Sequence, residues 1–340
     1  MVVLVTGVAG FVGSHLAEAL VWQGHEVRGV DALTPYYAAS AKMRNLEALL
    51  ASDRMEFVHA DLCEDDVDAL FEDVDVVFHQ AGQPGVRRSW SDGFPSYVRA
   101  NVSATQRLLE AARRHSIERF VYASSSSVYG NAPSYPTTEH DLPRPHSPYG
   151  VTKLAAEHLC SLYAHNWGVP TVSLRYFTVY GPRQRPDMGF SRFIEAALDG
   201  RPVPLYGTGK AIRDFTHVDD IVGANLAAAK ADLEPGTVMN IAGGSSTTVS
   251  DVLEMIGESL GSPVGITSLP EQPGDVAVTG GSIELATSLL GWRPEVALRD
   301  GLESQVAWHM QRRLPSQDPS TPLLRDRLLT LPEPELLPSV

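Results

Sequence analysis

The chain is poor in cysteine and lysine, and has no long apolar run. Two cysteines in 340 residues, Cys63 and Cys160, cannot build a disulfide framework or a multi-cysteine zinc site, so they read as reduced thiols. Lysine occurs only at 42, 153, 210 and 230, and the 27 basic residues are outnumbered by 41 acidic ones. The formal net charge is −14 and no basic footprint offsets it, so nucleic acid is not an expected partner. No run of about 18 apolar residues is present, so no membrane span is expected. Residues 1–5 are apolar, but no basic stretch precedes them and Gly7 interrupts at once, so no secretory signal is read. Apolar residues at 43% and charged residues at 20% fit a folded chain, expected to be soluble and cytoplasmic.

What is present alternates between two periods. Val2–Val5, Glu26–Val30, Phe57–His59, Val74–Phe78, Arg119–Ala123 and Thr171–Leu174 read as strands. Between them, Phe11–Val21, Asp65–Phe71, Val102–His115 and Tyr149–Trp167 read as helices. That alternation predicts an α/β fold, a Rossmann-type doubly wound parallel sheet with helices on both faces. After about residue 176 Gly and Pro punctuate the chain, and helices are expected near Ser191–Asp199, Val218–Ala231 and Val249–Leu260. The expected division is a dinucleotide domain over 1–176 with 214–242 returning to it. A smaller C-terminal substrate-binding α/β lobe takes 177–213 and 243–313, and a Pro-rich tail 314–340.

Gly7-x-x-Gly10-x-x-Gly13 follows the first strand and opens the first helix. Glycine is needed where a pyrophosphate must approach backbone without a Cβ in the way, and the helix N-terminus then receives the phosphates. With 28 glycines the spacing should arise by chance roughly 0.2 times per chain, so position has to strengthen it. Asp31 does so: it ends the second strand, where a carboxylate binds both ribose hydroxyls and repels a 2′-phosphate, which favours NAD over NADP. A plain Gly-rich turn with Asp31 as a turn residue is the alternative.

Tyr149 and Lys153 stand four apart on one helix face, with Ser147 as N-cap and Pro148 in the first turn. Eleven tyrosines and four lysines give roughly 0.13 such pairs by chance. A phenol is a poor base at neutral pH, but a nearby ammonium favours the phenolate and makes Tyr149 a proton acceptor. A solvated face with an exposed lysine is the alternative. Ser124, Ser125, Ser126 and Ser127 follow a strand, so their hydroxyls emerge at the carboxyl end of the sheet, as ligand contacts or as polar filler.

Together these features resemble the extended short-chain dehydrogenase/reductase superfamily, and within it the nucleotide-sugar epimerases. The resemblance covers Met1 to about His309. It continues through Asp61-Leu62, His79-Gln80-Ala81-Gly82, Arg175-Tyr176-Phe177-Thr178, Tyr180-Gly181-Pro182-Arg183, Arg213-Asp214-Phe215 and Pro273-Gly274-Asp275. It implies Ser125, Tyr149 and Lys153 as the catalytic group. It implies a cofactor site of Gly7, Gly10, Phe11, Val12, Gly13, Asp31, Asp61, Leu62, Ala81 and Tyr176, with Tyr149 and Lys153 sharing in it. Arg213 and Asp275 would hold a uridine diphosphate, with Phe190, Pro204 and Tyr206 around the base and Arg192 as a further contact. NAD as cofactor, a UDP-sugar as substrate and a homodimer are implied in the same way.

Dehydratase relatives carry an Asp-Glu pair where this chain has Ser126 and Ser127, and decarboxylases a Glu at the position of Ser127. Hexose epimerases usually carry Asn where Thr178 stands. The stretch Arg175–Met188 is similar to that of UDP-glucuronate 4-epimerases, as is Pro35-Tyr36-Tyr37. That resemblance implies reversible inversion at sugar carbon 4 through a 4-keto sugar. A UDP-glucose or UDP-N-acetylglucosamine 4-epimerase remains the alternative, and a UDP-glucuronate decarboxylase a weaker one. Chemistry favours a uronate: Arg185, seven residues past Thr178 in a turn-rich loop, can grip a carboxylate bidentately, with Ser126, Ser127 and Thr178 completing its hydrogen bonds. Arg185 could equally be a surface residue paired with Asp187, and Arg87 and Arg88 are rival clamps.

Overall fold

The computed structural model describes residues 1–270 and 278–314. The elements of its first half are β1 (Val2–Thr6), α1 (Phe11–Trp22), β2 (Glu26–Asp31), α2 (Ala39–Leu46), β3 (Met55–His59), β4 (Val76–His79), α3 (Phe94–Tyr97), α4 (Ala104–Arg114), β5 (Arg119–Ser125) and α5 (Pro148–Trp167). Then come β6 (Thr171–Tyr176), β7 (Val179–Tyr180), α6 (Gly189–Leu198), β8 (Val203–Tyr206), β9 (Ile212–Arg213), β10 (Thr216–His217), α7 (Val218–Lys230) and β11 (Thr237–Ile241). The described chain closes with β12 (Thr247–Thr248), α8 (Val249–Leu260), β13 (Ile266–Leu269), α9 (Glu284–Leu290) and α10 (Leu298–Gln311).

Seven strands form one sheet in the order β11-β6-β5-β4-β1-β2-β3, and every pairing is parallel. Parallel strands need crossover helices, which cover both faces and make the strands apolar throughout. β1 shows how the alternation is used. Val3 and Val5 face one core with Leu16 and Leu20 of α1 and Ile221 and Ala224 of α7. Leu4 faces the other, with Leu108 of α4 and Ala156 and Cys160 of α5. The winding reverses between β1 and β4, so a crevice opens beyond the carboxyl ends of these two strands.

A second, smaller core lies among α6, α8 and α10, where Phe190, Ile194, Val252, Ile256, Leu302 and Val306 pack together with Tyr180 and Phe215. The short pairs β8–β13, β9–β12 and β7–β10 border it. Among the described residues, no helix is long and apolar enough to cross a membrane.

Local chemistry sets the element ends. Ser147 caps α5 by accepting from the Gly150 amide at 3.1 Å, and Gly168, at φ 67°, closes it in the left-handed region only glycine enters freely. Two expectations are corrected. The stretch Asp65–Phe71 is helical only as a 3-10 turn at Ala69–Phe71. Its aspartates satisfy local amides instead: Asp66 accepts from Asp68 at 2.9 Å and Asp65 from Asp61 at 2.7 Å, which competes with helix. The helix expected from Val102 is α-helical only from Ala104, because Val98–Ser103 winds as a π-helix.

Beneath the carboxyl end of β5 lies a buried polar network. Glu157 of α5 takes the Arg175 guanidinium on both oxygens, at 2.6 and 3.0 Å, and accepts the Ser124 hydroxyl at 2.6 Å. Arg175 also donates to the Tyr129 hydroxyl at 2.6 Å, which donates to Asn240 at 2.7 Å. The network ties α5, β5, β6 and β11 together where the serine run leaves the sheet. Glu157→Ala would strand a buried guanidinium, so urea unfolding should show a loss of about 3–5 kcal/mol. A loss below about 1 kcal/mol would mean that the network bears no stability.

Candidate active site

β1 and α1 meet in a turn with no room for side chains. Gly7 has φ 68°, and a Cβ there would lie 2.8 Å from the backbone of Ala81. A Cβ on Gly13 would lie 2.2 Å from the Gly7 carbonyl oxygen. The N-cap of α1 is Gly10, and no side chain caps the helix. Its first amides, at Phe11 and Val12, are therefore left for a ligand with negative charge. Asp31, at the end of β2, is held by the amides of Leu33 at 2.7 Å and Ala9 at 3.2 Å. The cradle, the uncapped helix and the oriented carboxylate fit a dinucleotide, and the lack of space for a Cβ is the direct sign of it.

These residues border a cleft of about 1360 Å³, larger than the roughly 300–1,000 Å³ typical of a site for one drug-sized ligand. Asp61, Leu62, Ala81 and Tyr176 line it, as do Ser125, Tyr149 and Lys153. So do Ser126, Ser127, Thr178, Arg185, Phe190, Arg192, Pro204, Tyr206 and Arg213, together with Arg87 and Arg88. Asp275 lies outside the described residues. Phe190 serves two purposes, since its ring also packs 4.7 Å from that of Phe215 in the second core. The Arg87 guanidinium stacks 4.2 Å over the Tyr206 ring.

At the centre, the first turn of α5 carries Tyr149 to the end of β5, where it hydrogen-bonds Ser125. Burial pushes the phenol's pKa up, while the Ser125 hydrogen bond and the positive charge of Arg185 pull it down. Lys153, the expected helper, lies one turn along the same helix from Tyr149. Its ammonium lies 4.6 Å over the Tyr122 ring, and burial brings Lys153 down to about 8.

Arg185 sits on a loop pinned at several points. Arg183, at φ 64°, reaches Glu18 of α1 at 2.7 Å, and the His15 ring bonds the Pro182 carbonyl at 3.0 Å. Gln184 accepts the Ser191 amide at 3.0 Å and Gln305 accepts the Gly181 amide at 2.9 Å. Arg185 lines the cleft and also pairs with Asp187 through two hydrogen bonds of 3.0 and 3.1 Å, so both sequence readings describe part of it.

Sequence reasoning passed over several lining residues. Lys42 is buried 3.7 Å from Asp31. Asn101 is buried in the π-helical turn, accepts the Gln83 amide at 2.6 Å and donates to Thr152 at 3.0 Å. Gln80 lines the cleft and meets the Tyr176 hydroxyl at 3.2 Å, with the buried Asn225 behind it at 3.0 Å. A scarce lysine eleven residues after Asp31 was a usable signal; the π-helical register was not.

Gly13→Ala would drive a methyl group into the Gly7 carbonyl. Calorimetric titration should show NAD affinity falling tenfold or more, and undiminished affinity would place the dinucleotide elsewhere.

Residues 3–242 match the NAD dependent epimerase/dehydratase family. A Bacillus subtilis protein described as an uncharacterized UDP-glucose epimerase, YtcB, is 42% identical over 309 residues, 91% of this chain and 98% of its own. The structure is similar to that of UDP-glucuronic acid 4-epimerase from Bacillus cereus in complex with UDP-glucuronic acid and NAD. The TM-score is 0.89 at 41% identity, with 92% of this chain and 100% of that one covered. It is also similar to MoeE5 in complex with UDP-glucuronic acid and NAD, with a TM-score of 0.83 at 42% identity and coverage of 92% and 100%. MoeE5 is known in complex with UDP-glucose and NAD as well. The cradle, the parallel sheet and these matches together make the chain a member of the NAD dependent epimerase/dehydratase family.

Proposed function

We propose that the protein interconverts UDP-glucuronate and UDP-galacturonate by inverting carbon 4 of the sugar, with NAD retained in the cleft. The observation that carries this reading is Arg185, a guanidinium in the cleft whose field reaches the phenol of Tyr149. The Bacillus cereus neighbour, with UDP-glucuronic acid and NAD bound, supports it.

Gly7, Gly10, Phe11, Val12 and Gly13 receive the pyrophosphate in this reading. Asp31 takes the adenosine ribose, while Asp61 and Leu62 flank the adenine. Ala81, Tyr176 and Lys153 border the nicotinamide end. When bound, NAD takes up the hydride from carbon 4 and returns it to the opposite face. Tyr149 accepts the proton of the carbon-4 hydroxyl and later gives it back, with Ser125 bridging phenol and sugar oxygen. Arg213 and Arg192 hold the diphosphate, and Phe190, Pro204 and Tyr206 enclose the uracil. The sugar turns about that fixed anchor to present its other face.

A ketone at carbon 4 lies β to the uronate carboxylate, an arrangement that loses carbon dioxide when the breaking bond stands perpendicular to the ketone plane. Arg185, with Ser126, Ser127 and Thr178, holds the carboxylate out of that alignment, so positioning suppresses the side reaction. The second reading is a 4-epimerase of neutral UDP-hexoses. The Arg185–Asp187 pair favours it, because the guanidinium already has a counter-ion.

Incubation of the purified protein with UDP-glucuronate, without added NAD, should give UDP-galacturonate and no carbon dioxide. Tyr149→Phe should lower turnover by about 10²–10⁴ while NAD is retained. Faster turnover of UDP-glucose would favour the second reading, and undiminished activity in Tyr149→Phe would remove the phenol from its role.

A further inference from the structure

The carboxylate of Asp187 occupies part of the group that the proposed reading assigns to the substrate's own carboxylate. Arg185 donates from Nε to Oδ1 at 3.0 Å and from Nη2 to Oδ2 at 3.1 Å, so one edge of the guanidinium is taken. Among the described residues Arg185 makes no other hydrogen bond, and the edge bearing Nη1 remains for a ligand. Asp187 is itself held from across the cleft. Tyr36, in the loop after β2, donates its hydroxyl to Oδ2 at 3.2 Å. The Arg88 guanidinium covers the Tyr36 ring at 4.9 Å, and Gly85 leaves no room for a Cβ, which would lie 2.5 Å from the Tyr36 hydroxyl. Neither member of the pair is solvated freely: the side chains are 17% and 25% exposed.

Charge balance gives this arrangement a consequence. A bare guanidinium would attract a uronate strongly and a neutral hexose hardly at all. A guanidinium with a counter-ion at hydrogen-bond distance presents a net-neutral pair, and the incoming carboxylate also meets the repulsion of Asp187. The open edge can still donate, to a carboxylate or to a hydroxyl. We propose that Asp187, held by Tyr36, is a specificity-determining residue: a built-in counter-ion of Arg185 that restrains the preference for charged over neutral sugars. This rests on the reading that the sugar end of the substrate meets Arg185.

The test is calorimetric titration of the NAD-loaded full chain with UDP-glucuronate and with UDP-glucose. In Asp187→Asn, UDP-glucuronate should bind about tenfold more tightly, or about 1.4 kcal/mol, while UDP-glucose binding stays within about twofold. The gain should shrink at about 1 M salt, where the Debye length falls to about 3 Å, a response that a merely structural change would not show. Tyr36→Phe should shift the ratio in the same direction by less. In an Arg185→Gln background, Asp187→Asn should yield no such gain for the uronate. An unchanged ratio in both Asp187→Asn and Tyr36→Phe, or a shift toward UDP-glucose, overturns the inference. Binding without turnover would remove the proposed activity and leave the counter-ion role standing. Binding of neither nucleotide sugar would overturn both.

Discussion

The phenol of Tyr149 is buried, and burial alone moves its pKa in the wrong direction for a proton acceptor. Two groups act against that shift. One is the hydroxyl of Ser125 at the end of β5, and the other is the guanidinium of Arg185 on the loop after β7. The central chemistry thus depends on bringing three chain segments, far apart in sequence, to one point. The sheet does this by reversing its winding between β1 and β4, so that β4, β5 and β6 deliver their carboxyl ends beside the glycine cradle of β1.

Rigidity at that point comes from polar groups that are buried and satisfied. Glu157 and Arg175 lock β5 to α5 and β6 directly under the serine run. On the opposite wall, Arg183 and His15 fasten the Arg185 loop to α1. The helix with the uncapped N-terminus and the loop that carries Arg185 are therefore tied to each other. His79 adds a further tie. Its ring joins Thr6 of β1, at 2.7 Å, to Thr105 of α4, at 2.9 Å, and burial keeps it neutral by lowering its pKa to about 3.

Much of this was legible in the chain. Glycine spacing after an apolar run, an acid at the next strand end and a Tyr–Lys pair behind a Ser-Pro cap are local signals, and each reports local geometry. The failures have physical causes. Asp65 and Asp66 lie in an apolar pattern that reads as helix, but their short carboxylates satisfy nearby amides and hold turns instead. Asn101 owes its place to one π-helical turn, which no hydrophobic period announces. Lys153 sits at the predicted spacing, but the Tyr122 ring beneath its ammonium has no signal in the local sequence. For Arg185 the sequence offered clamp or surface ion pair. Two residues of separation make the Asp187 pair visible, but only tertiary structure puts that pair inside the cleft.

A crystal structure of the protein with NAD and UDP-glucuronate tests the central claim most directly. The account predicts the uronate carboxylate on the Nη1 edge of Arg185, with the carbon-4 hydroxyl about 3 Å from the Tyr149 oxygen. A carboxylate turned to solvent or gripped by Arg87 or Arg88, with Arg185 bound to Asp187 alone, would contradict it.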